Sequence, residues 1–251
     1  MVGCRRKKPV RQSIITRDDG LQGAEAVSKA IGFQYDEGVF RRVIFTESRD
    51  EVANGRARAL EEIWPGRVDS GFSKKRSTLG AGLVLAAPGI LMLFQGQELL
   101  EDRWFQNKVP IDWSRVEDEH SILGMYRDLI ALRRNLLVMT RGLCGQNCHI
   151  YHVDLEAKLI AFHRWDALGP HDCVVVVVNM TNQNRDGYVI GFPRAGLSKK
   201  RFNSDSYNYG INFYNHLTPE VETHEEGADG LPCSGEISIG PYTVVIFSQD
   251  G

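Results

Sequence analysis

The sequence predicts an α/β unit followed by an all-β unit, and three observations predict it. Two short apolar runs, Val43-Ile44-Phe45 and Ile90-Leu91-Met92-Leu93-Phe94, are separated by a helical pattern. Strand, helix, strand is a crossover and implies parallel strands. Each run leads directly into a polar segment. Beyond about residue 142 the texture changes to short strands between turn clusters such as Asn182–Gly187 and Glu226–Gly230, the spacing of an antiparallel sandwich.

The elements follow in order. Residues 1–21 open on the basic cluster Cys4-Arg5-Arg6-Lys7-Lys8 with no apolar run behind it. That excludes a secretory leader of ordinary form and predicts a solvated, disordered tail. Residues 22–34 carry helical spacing at Ala26, Val27, Ala30 and Ile31, and Asp36-Glu37-Gly38 make a turn. Val43–Phe45 is β-branched and aromatic, a buried strand. Residues 47–54 lack alternation and read as a loop. Residues 71–86 read as a helix, polar at Lys74, Lys75 and Arg76, apolar at Leu79, Leu83 and Val84, and stopped by Pro88-Gly89. A third helix spans 120–137, with Ile122, Met125, Tyr126, Leu129 and Ile130 on one face. Strands then fall at 148–153, 159–164, 173–179, 186–191, 234–239 and 242–248. Val174–Val178 is apolar at every position, so it is a central strand buried on both faces. The organisation is therefore 1–21 tail, 22–142 α/β, and 143–251 all-β. Two parallel strands cannot stand alone, so the α/β part reads as incomplete.

Composition excludes several classes. The 251 residues are 42% hydrophobic and 25% charged with a formal net charge of −2, which describes a globular chain without a basic field for nucleic acid. The longest apolar stretch, 83–94, is broken by Pro88 and Gly89, so no membrane span is expected. Five cysteines, an odd number with no C-x-x-C pair, argue against a disulfide framework and for the reducing cytoplasm. Cys144, Cys148, His149 and His152 are metal-ligating types, but no second ligand pair stands at zinc-finger spacing. No metal and no cofactor are expected.

Sites on parallel sheets form at the C-terminal strand ends. The first end offers Glu47, Arg49, Asp50, Glu51 and Asn54; the second offers Gln95, Gln97 and Glu98. Carboxylates beside carboxamides suit a ligand rich in hydroxyls, and paired carboxylates are the working parts of glycoside chemistry. The same residues equally suit a solvated loop capping the next helix, or a divalent cation. Trp64 and Trp104 offer flat faces to a sugar or serve as packing anchors. Trp113 reads as packing. Tyr207, Tyr209 and Tyr214 suit a surface sugar patch or an ordinary aromatic-rich loop, and the loop is the stronger reading.

The segment VIFTESRDEVANGRARALEEIWPG (43–66) resembles the fourth conserved region of the alpha-amylase superfamily, glycoside hydrolase family 13, closest to its 1,4-alpha-glucan branching members. KKRSTLGAGLVLAAPGILMLFQGQELLED (74–102) is similar to the last barrel helix and strand of that family. IDWSR (111–115) and YRDLIALRRN (126–135) resemble its closing helix, and FNSDS (202–206) fits its C-terminal all-β domain. The resemblance covers residues 24–250 and implies the last strands and helices of a (β/α)8 TIM barrel followed by an antiparallel β-sandwich. It implies a retaining mechanism on an alpha-1,4-glucan such as starch or glycogen. Asp50 matches the third catalytic carboxylate, the one that stabilises the oxocarbenium-like transition state. Arg49 replaces the usual sugar-binding histidine. Glu47, Gln97, Glu98 and Trp104 join Arg49 as substrate-facing candidates, with Glu47 also reading as a structural cap. No segment before residue 43 matches the family's nucleophile or acid/base, and about 40 residues cannot hold six further strands when a whole barrel takes about 250. The expectation is a C-terminal part without turnover of its own, partnered by the missing N-terminal half of the barrel. The alternatives are a non-catalytic carbohydrate-binding or interaction module and a truncated gene product. The reading requires 43–46 and 90–94 to pair in parallel, with Asp50 on a rim shared with Gln97 and Glu98.

Overall fold

The computed structural model describes residues 9–16, 22–35, 38–167, 172–210 and 213–249. Cys4, the basic cluster and the expected turn residues Asp36 and Glu37 lie outside them. The first unit contains α1 (Pro9–Ile15), α2 (Gln22–Gly32), β1 (Val43–Ile44), α3 (Arg49–Val52) and α4 (Ala59–Ile63). It continues with α5 (Gly71–Ala86), β2 (Ile90–Leu91), α6 (Arg115–Asp118) and α7 (His120–Arg133). β1 and β2 pair in parallel, Val43 opposite Ile90 and Ile44 opposite Leu91. The regular strands are shorter than the apolar runs that announced them.

α5 starts at Ser70, whose hydroxyl accepts the Ser73 N–H at 3.2 Å, a cap that supplies one of the orphan amides of a helix start. It ends before Pro88, which cannot continue a helix. α5 is buried along most of its length, and a Cβ on Gly82 would meet the Val244 side chain at 2.9 Å, so glycine allows the close approach to the second unit. α7 ends at Arg133 rather than near residue 137. Asn135 adopts φ 52°, and Asn135 and Leu136 donate back to the Leu132 and Ala131 carbonyls at 3.0 and 2.9 Å, a left-handed helix stop.

Two corrections concern this unit. Residues 9–15, expected as part of a solvated tail, form α1. Ile14 is buried, and the Arg11 guanidinium donates to the Ala57 carbonyl at 3.1 Å and to Glu62 at 3.0 Å. α1 lies on α2, α4 and α5, and Ile14 enters their shared apolar core; no local pattern in seven residues announces such a partner. Residues 49–52, expected as loop, make the helical turn α3, whose Glu51 and Val52 amides donate to the Ser48 carbonyl at 2.9 and 3.2 Å.

The second unit holds β3 (Asn147–Asp154), β4 (Leu159–Trp165), β5 (Val174–Asn179) and β6 (Arg185–Phe192). β7 (Gly196–Asn203), β8 (Val221–Thr223), β9 (Cys233–Ile239) and β10 (Thr243–Ser248) follow. Six strands form one antiparallel sheet in the order β3-β4-β5-β10-β7-β8, and β6 pairs with β9 in a separate ribbon. β5 is an inner strand, as its composition predicts. Val174, Val176 and Val178 enter one core with Leu83 of α5 and Met125 and Leu129 of α7. Val175 and Val177 enter another with Ile190, Phe192 and Ile237 of the ribbon. Alternate residues of one strand thus bury against helices on one face and strands on the other, so every position is apolar. β7 and β8 were not legible. In β7 the run Ser198-Lys199-Lys200-Arg201 masks a strand that turns Ser198 and Phe202 inward.

Candidate functional site

The loops that follow β1 and β2 are stitched into one rim. Gln97 donates from Nε2 to the Thr46 hydroxyl at 2.6 Å and accepts the Phe94 N–H on Oε1 at 2.7 Å. It heads a 3-10 turn, Gln97–Leu99, entered through Gly96 at φ 85°. Further out the Phe105 N–H donates to the Val52 carbonyl at 2.6 Å, so the two loops stay joined past the strand ends.

Glu47 sits beneath this rim, 4% exposed. Its Oε2 accepts from Arg58 Nη1 at 2.7 Å, and its Oε1 accepts the Ala59 N–H at 2.6 Å at the start of α4. A carboxylate at a helix start is favoured by the exposed amide dipoles. Arg58 also donates to the carbonyls of Gln95 at 2.8 Å and Arg103 at 3.2 Å, and lies 5.0 Å from the Phe94 ring centroid. One guanidinium therefore ties the loop after β1 to the loop after β2. Both Glu47 oxygens are engaged by the framework.

Arg49 and Asp50 occupy the first turn of α3, and both are exposed. No ion pair joins them among the described residues. The Asp50 carbonyl accepts from Arg56 at 3.0 Å, which braces the backbone and leaves the carboxylate at the surface. Glu98 is half-buried. Below it the Tyr126 phenol is buried, and burial first, then the charges of Glu47 and Glu98, push its pKa far above the ordinary tyrosine value. Trp104 is 42% exposed and lines, with Ala57, Glu61 and Gln106, a cavity of about 330 Å3. Next to it, burial raises the Glu101 carboxyl, but hydrogen bonds from Arg103 at 2.9 and 3.0 Å outweigh burial and hold it at about 2.

The structure thus brings Gln97 to Thr46, next in sequence to Glu47, and leaves Arg49, Asp50 and Trp104 exposed around them. Trp64 packs edge-on to Phe72 at 5.7 Å, whereas Trp113, expected to pack, is 67% exposed. Arg58 and Arg11 organise the rim and were not singled out from sequence. The signal is an arginine between two alanines, Ala57-Arg58-Ala59, in the first case, and nothing local in the second. The metal-ligating types at 144–152 disperse: the Cys144 thiol meets the Arg133 carbonyl at 3.2 Å, and His152 bonds Asp229 and Tyr188, each at 3.0 Å. No group of three or more His, Cys, Asp or Glu among the described residues is arranged to hold a metal ion. No helix among them is long and apolar enough to cross a membrane.

An exposed carboxylate, a half-buried one and an indole face above a braced rim can hydrogen-bond hydroxyls and stack on a pyranose. A lone surface carboxylate can stabilise positive charge but cannot serve as nucleophile and acid together.

Comparison with known proteins agrees with this architecture. Residues 150–250 match the family model of the alpha amylase C-terminal all-beta domain. The chain is similar to members of the alpha-amylase superfamily. Among curated proteins it is similar to the 1,4-alpha-glucan branching enzyme GlgB of Burkholderia thailandensis, 32% identical over 213 residues, which is 81% of this chain and 24% of that one. GlgB of Rhodospirillum rubrum is 29% identical over 81% of this chain and 27% of its own. The chain therefore spans about a quarter of the length of these relatives. Among solved structures, pullulanase type I from Bacillus subtilis, complexed with maltose, superposes with TM-score 0.67 at 14% identity, over 98% of this chain and 35% of that one. The alpha-amylase from H. orenii gives TM-score 0.60 at 18% identity, over 97% and 48%.

Proposed function

We propose that this chain is the closing part of an α-glucan-processing enzyme of the branching or amylase type. Residues 22–142 supply the last strands and helices of a (β/α)8 barrel, and the all-β domain follows. The observation that carries the reading is the parallel β1–β2 pair whose following loops share one rim through the Gln97–Thr46 bond. Asp50 is then the carboxylate that stabilises the oxocarbenium-like transition state, and Arg49, Glu98 and Trp104 contact sugar. Glu47 and Gln97 hold the rim rather than the substrate, because their polar atoms are engaged by Arg58, Ala59, Thr46 and Phe94. The nucleophile and acid/base belong to barrel strands that these 251 residues do not supply, so the polypeptide alone turns over no glucan. Cys144, Cys148 and Cys233 form no disulfide among the described residues, which supports a reducing compartment, the cytoplasm.

A chimera tests the reading. Residues 43–251 replace the corresponding part of the Burkholderia thailandensis enzyme, and iodine staining and reducing-sugar release are followed on amylose. Turnover is expected, and Asp50→Asn in the chimera lowers it by at least about a hundredfold. Equal turnover by the Asp50→Asn chimera would remove Asp50 from the mechanism. The completeness of the sandwich, with both faces of its six-stranded sheet covered, favours a second reading as a non-catalytic α-glucan-binding module. Binding of glycogen with an inactive chimera would support that one.

A further inference from the structure

α7 runs into a loop that is closed at its base and apolar at its tip. The Asn135 carboxamide accepts the Thr140 N–H on Oδ1 at 2.8 Å, and the buried Thr140 hydroxyl donates to the Leu132 carbonyl at 2.7 Å. The Val138 N–H donates to the Asn135 carbonyl at 3.1 Å. Between these pins Leu136, Leu137 and Val138 stand out consecutively, 56%, 61% and 79% exposed. Single apolar side chains scattered over a surface are ordinary, whereas three in a row on a fixed loop form a patch that calls for a partner. Val138 sharpens the point. It is β-branched and held at φ 57°, a left-handed conformation that a branched Cβ disfavours. At that exposure no packing within the chain offsets the strain, so internal contacts do not account for a valine here.

Size and charge identify the partner. Three side chains fall far short of the roughly 800 Å2 that each member of a stable protein complex buries. They suffice for a bilayer, where an apolar tip enters the acyl boundary and cations meet anionic headgroups. Arginines flank the tip on both sides. The Arg134 guanidinium is exposed and has no partner among the described residues. Arg141 is exposed and pairs with Asp166 at 3.1 Å, a surface ion pair weak enough for a headgroup phosphate to displace. The loop also lies away from the Asp50 rim. Arg133, the last residue of α7, donates to the Ala87 and Gly89 carbonyls at 2.7 and 2.9 Å, just before β2 begins, whereas the rim follows the C-terminal ends of β1 and β2. A surface met by the tip therefore leaves the rim open.

We propose that Leu136, Leu137 and Val138, with Arg134 and Arg141, form an anchor that docks this chain on anionic membrane surfaces. The inference is independent of the α-glucan reading. The test is co-sedimentation of the 251-residue chain with vesicles of phosphatidylcholine alone or mixed in equal parts with phosphatidylserine. Wild type sediments with the mixed vesicles and is released as salt rises. Leu137→Asn/Val138→Asn binds about tenfold more weakly, with a melting temperature unchanged or raised, since asparagine tolerates left-handed backbone. Arg134→Gln weakens binding about fivefold. Leu217→Asn, which removes a lone side chain of the same exposure as Val138 from the second unit, leaves binding unchanged. Wild type that sediments with neither vesicle overturns the anchor. Binding by Leu137→Asn/Val138→Asn equal to wild type also overturns it and assigns attachment to the basic cluster at 5–8. A wild-type dimer in light scattering that the same double variant breaks, with no vesicle binding, overturns it in favour of a second copy of this chain.

Discussion

Lys75 is the sharpest place to perturb the join between the two units. It lies on α5, and its ammonium meets the Asp205 carboxylate of the second unit at 2.5 Å, with side chains 3% and 0% exposed. Asp205 also accepts the Tyr214 N–H on Oδ1 and the His216 N–H on Oδ2, both at 2.9 Å. Burial lowers the Lys75 pKa, and the Asp205 hydrogen bond and charge oppose that fall without reversing it. Lys75→Met keeps the aliphatic stem and removes only the charge, so Asp205 stays buried with its two amide donors and no countercharge. Removing one partner of a buried pair costs about 3–5 kcal/mol. The surviving amide bonds, each worth about 1.5–3 kcal/mol to a charged acceptor, place the loss at the low end, about 3 kcal/mol. For a chain of this size that is a fall in Tm of about 6–12 °C. Urea denaturation followed by circular dichroism and tryptophan fluorescence measures it. The double variant Lys75→Met/Asp205→Asn is expected to recover only part of the loss, since it removes both charges but leaves one of the two backbone N–H donors facing the Asn amide nitrogen. A loss below about 1 kcal/mol in Lys75→Met would show that the pair does not join the units.

Three further outcomes follow from the same structure. Arg58→Met removes the 2.7 Å partner of Glu47, leaves it the longer Arg11 ion pair at 3.6 Å, and frees the Gln95 and Arg103 carbonyls; a loss of about 1.5–3 kcal/mol by chemical denaturation is expected, partly restored by adding Glu47→Gln. Burial, then the nearby His149, holds the His163 imidazole at about 4 against 6.5 for the free side chain. The unfolded chain then binds more protons between those values, so stability is intact above pH 6.5 and falls by about 3 kcal/mol as pH drops through 4; His163→Gln flattens that part of the denaturation-midpoint profile. Gly142→Ala would place a Cβ 2.5 Å from the Arg164 carbonyl and 2.6 Å from that of Asp172, an overpacking of about 1–3 kcal/mol that a thermal melt reports.

Much of the fold was local enough to read. Apolar runs and a helical pattern located β1, α5 and β2 and fixed their parallel sense, because a crossover helix leaves no other short route. The all-apolar run in β5 revealed a strand with two buried faces, because each face meets its own core. Contiguous motifs located the two loops that the Gln97–Thr46 bond joins, and Asp50 is exposed in the helical turn that follows the first. Partners distant in sequence decided the rest. Periodicity carried no sign that residues 9–15 would fold onto α5, or that Lys75 would reach across 130 positions to Asp205. Pro88-Gly89 reads as a helix stop, and the stop is real. Only the tertiary structure shows that the carbonyls it exposes are claimed by buried arginines: Ala86 by Arg164, Ala87 and Gly89 by Arg133, and Pro88 by Arg42. A helix end must satisfy its last carbonyls. The sequence by itself determines that the debt exists, whereas the side chains that answer it are set by which distant segments the packed core brings within about 3 Å.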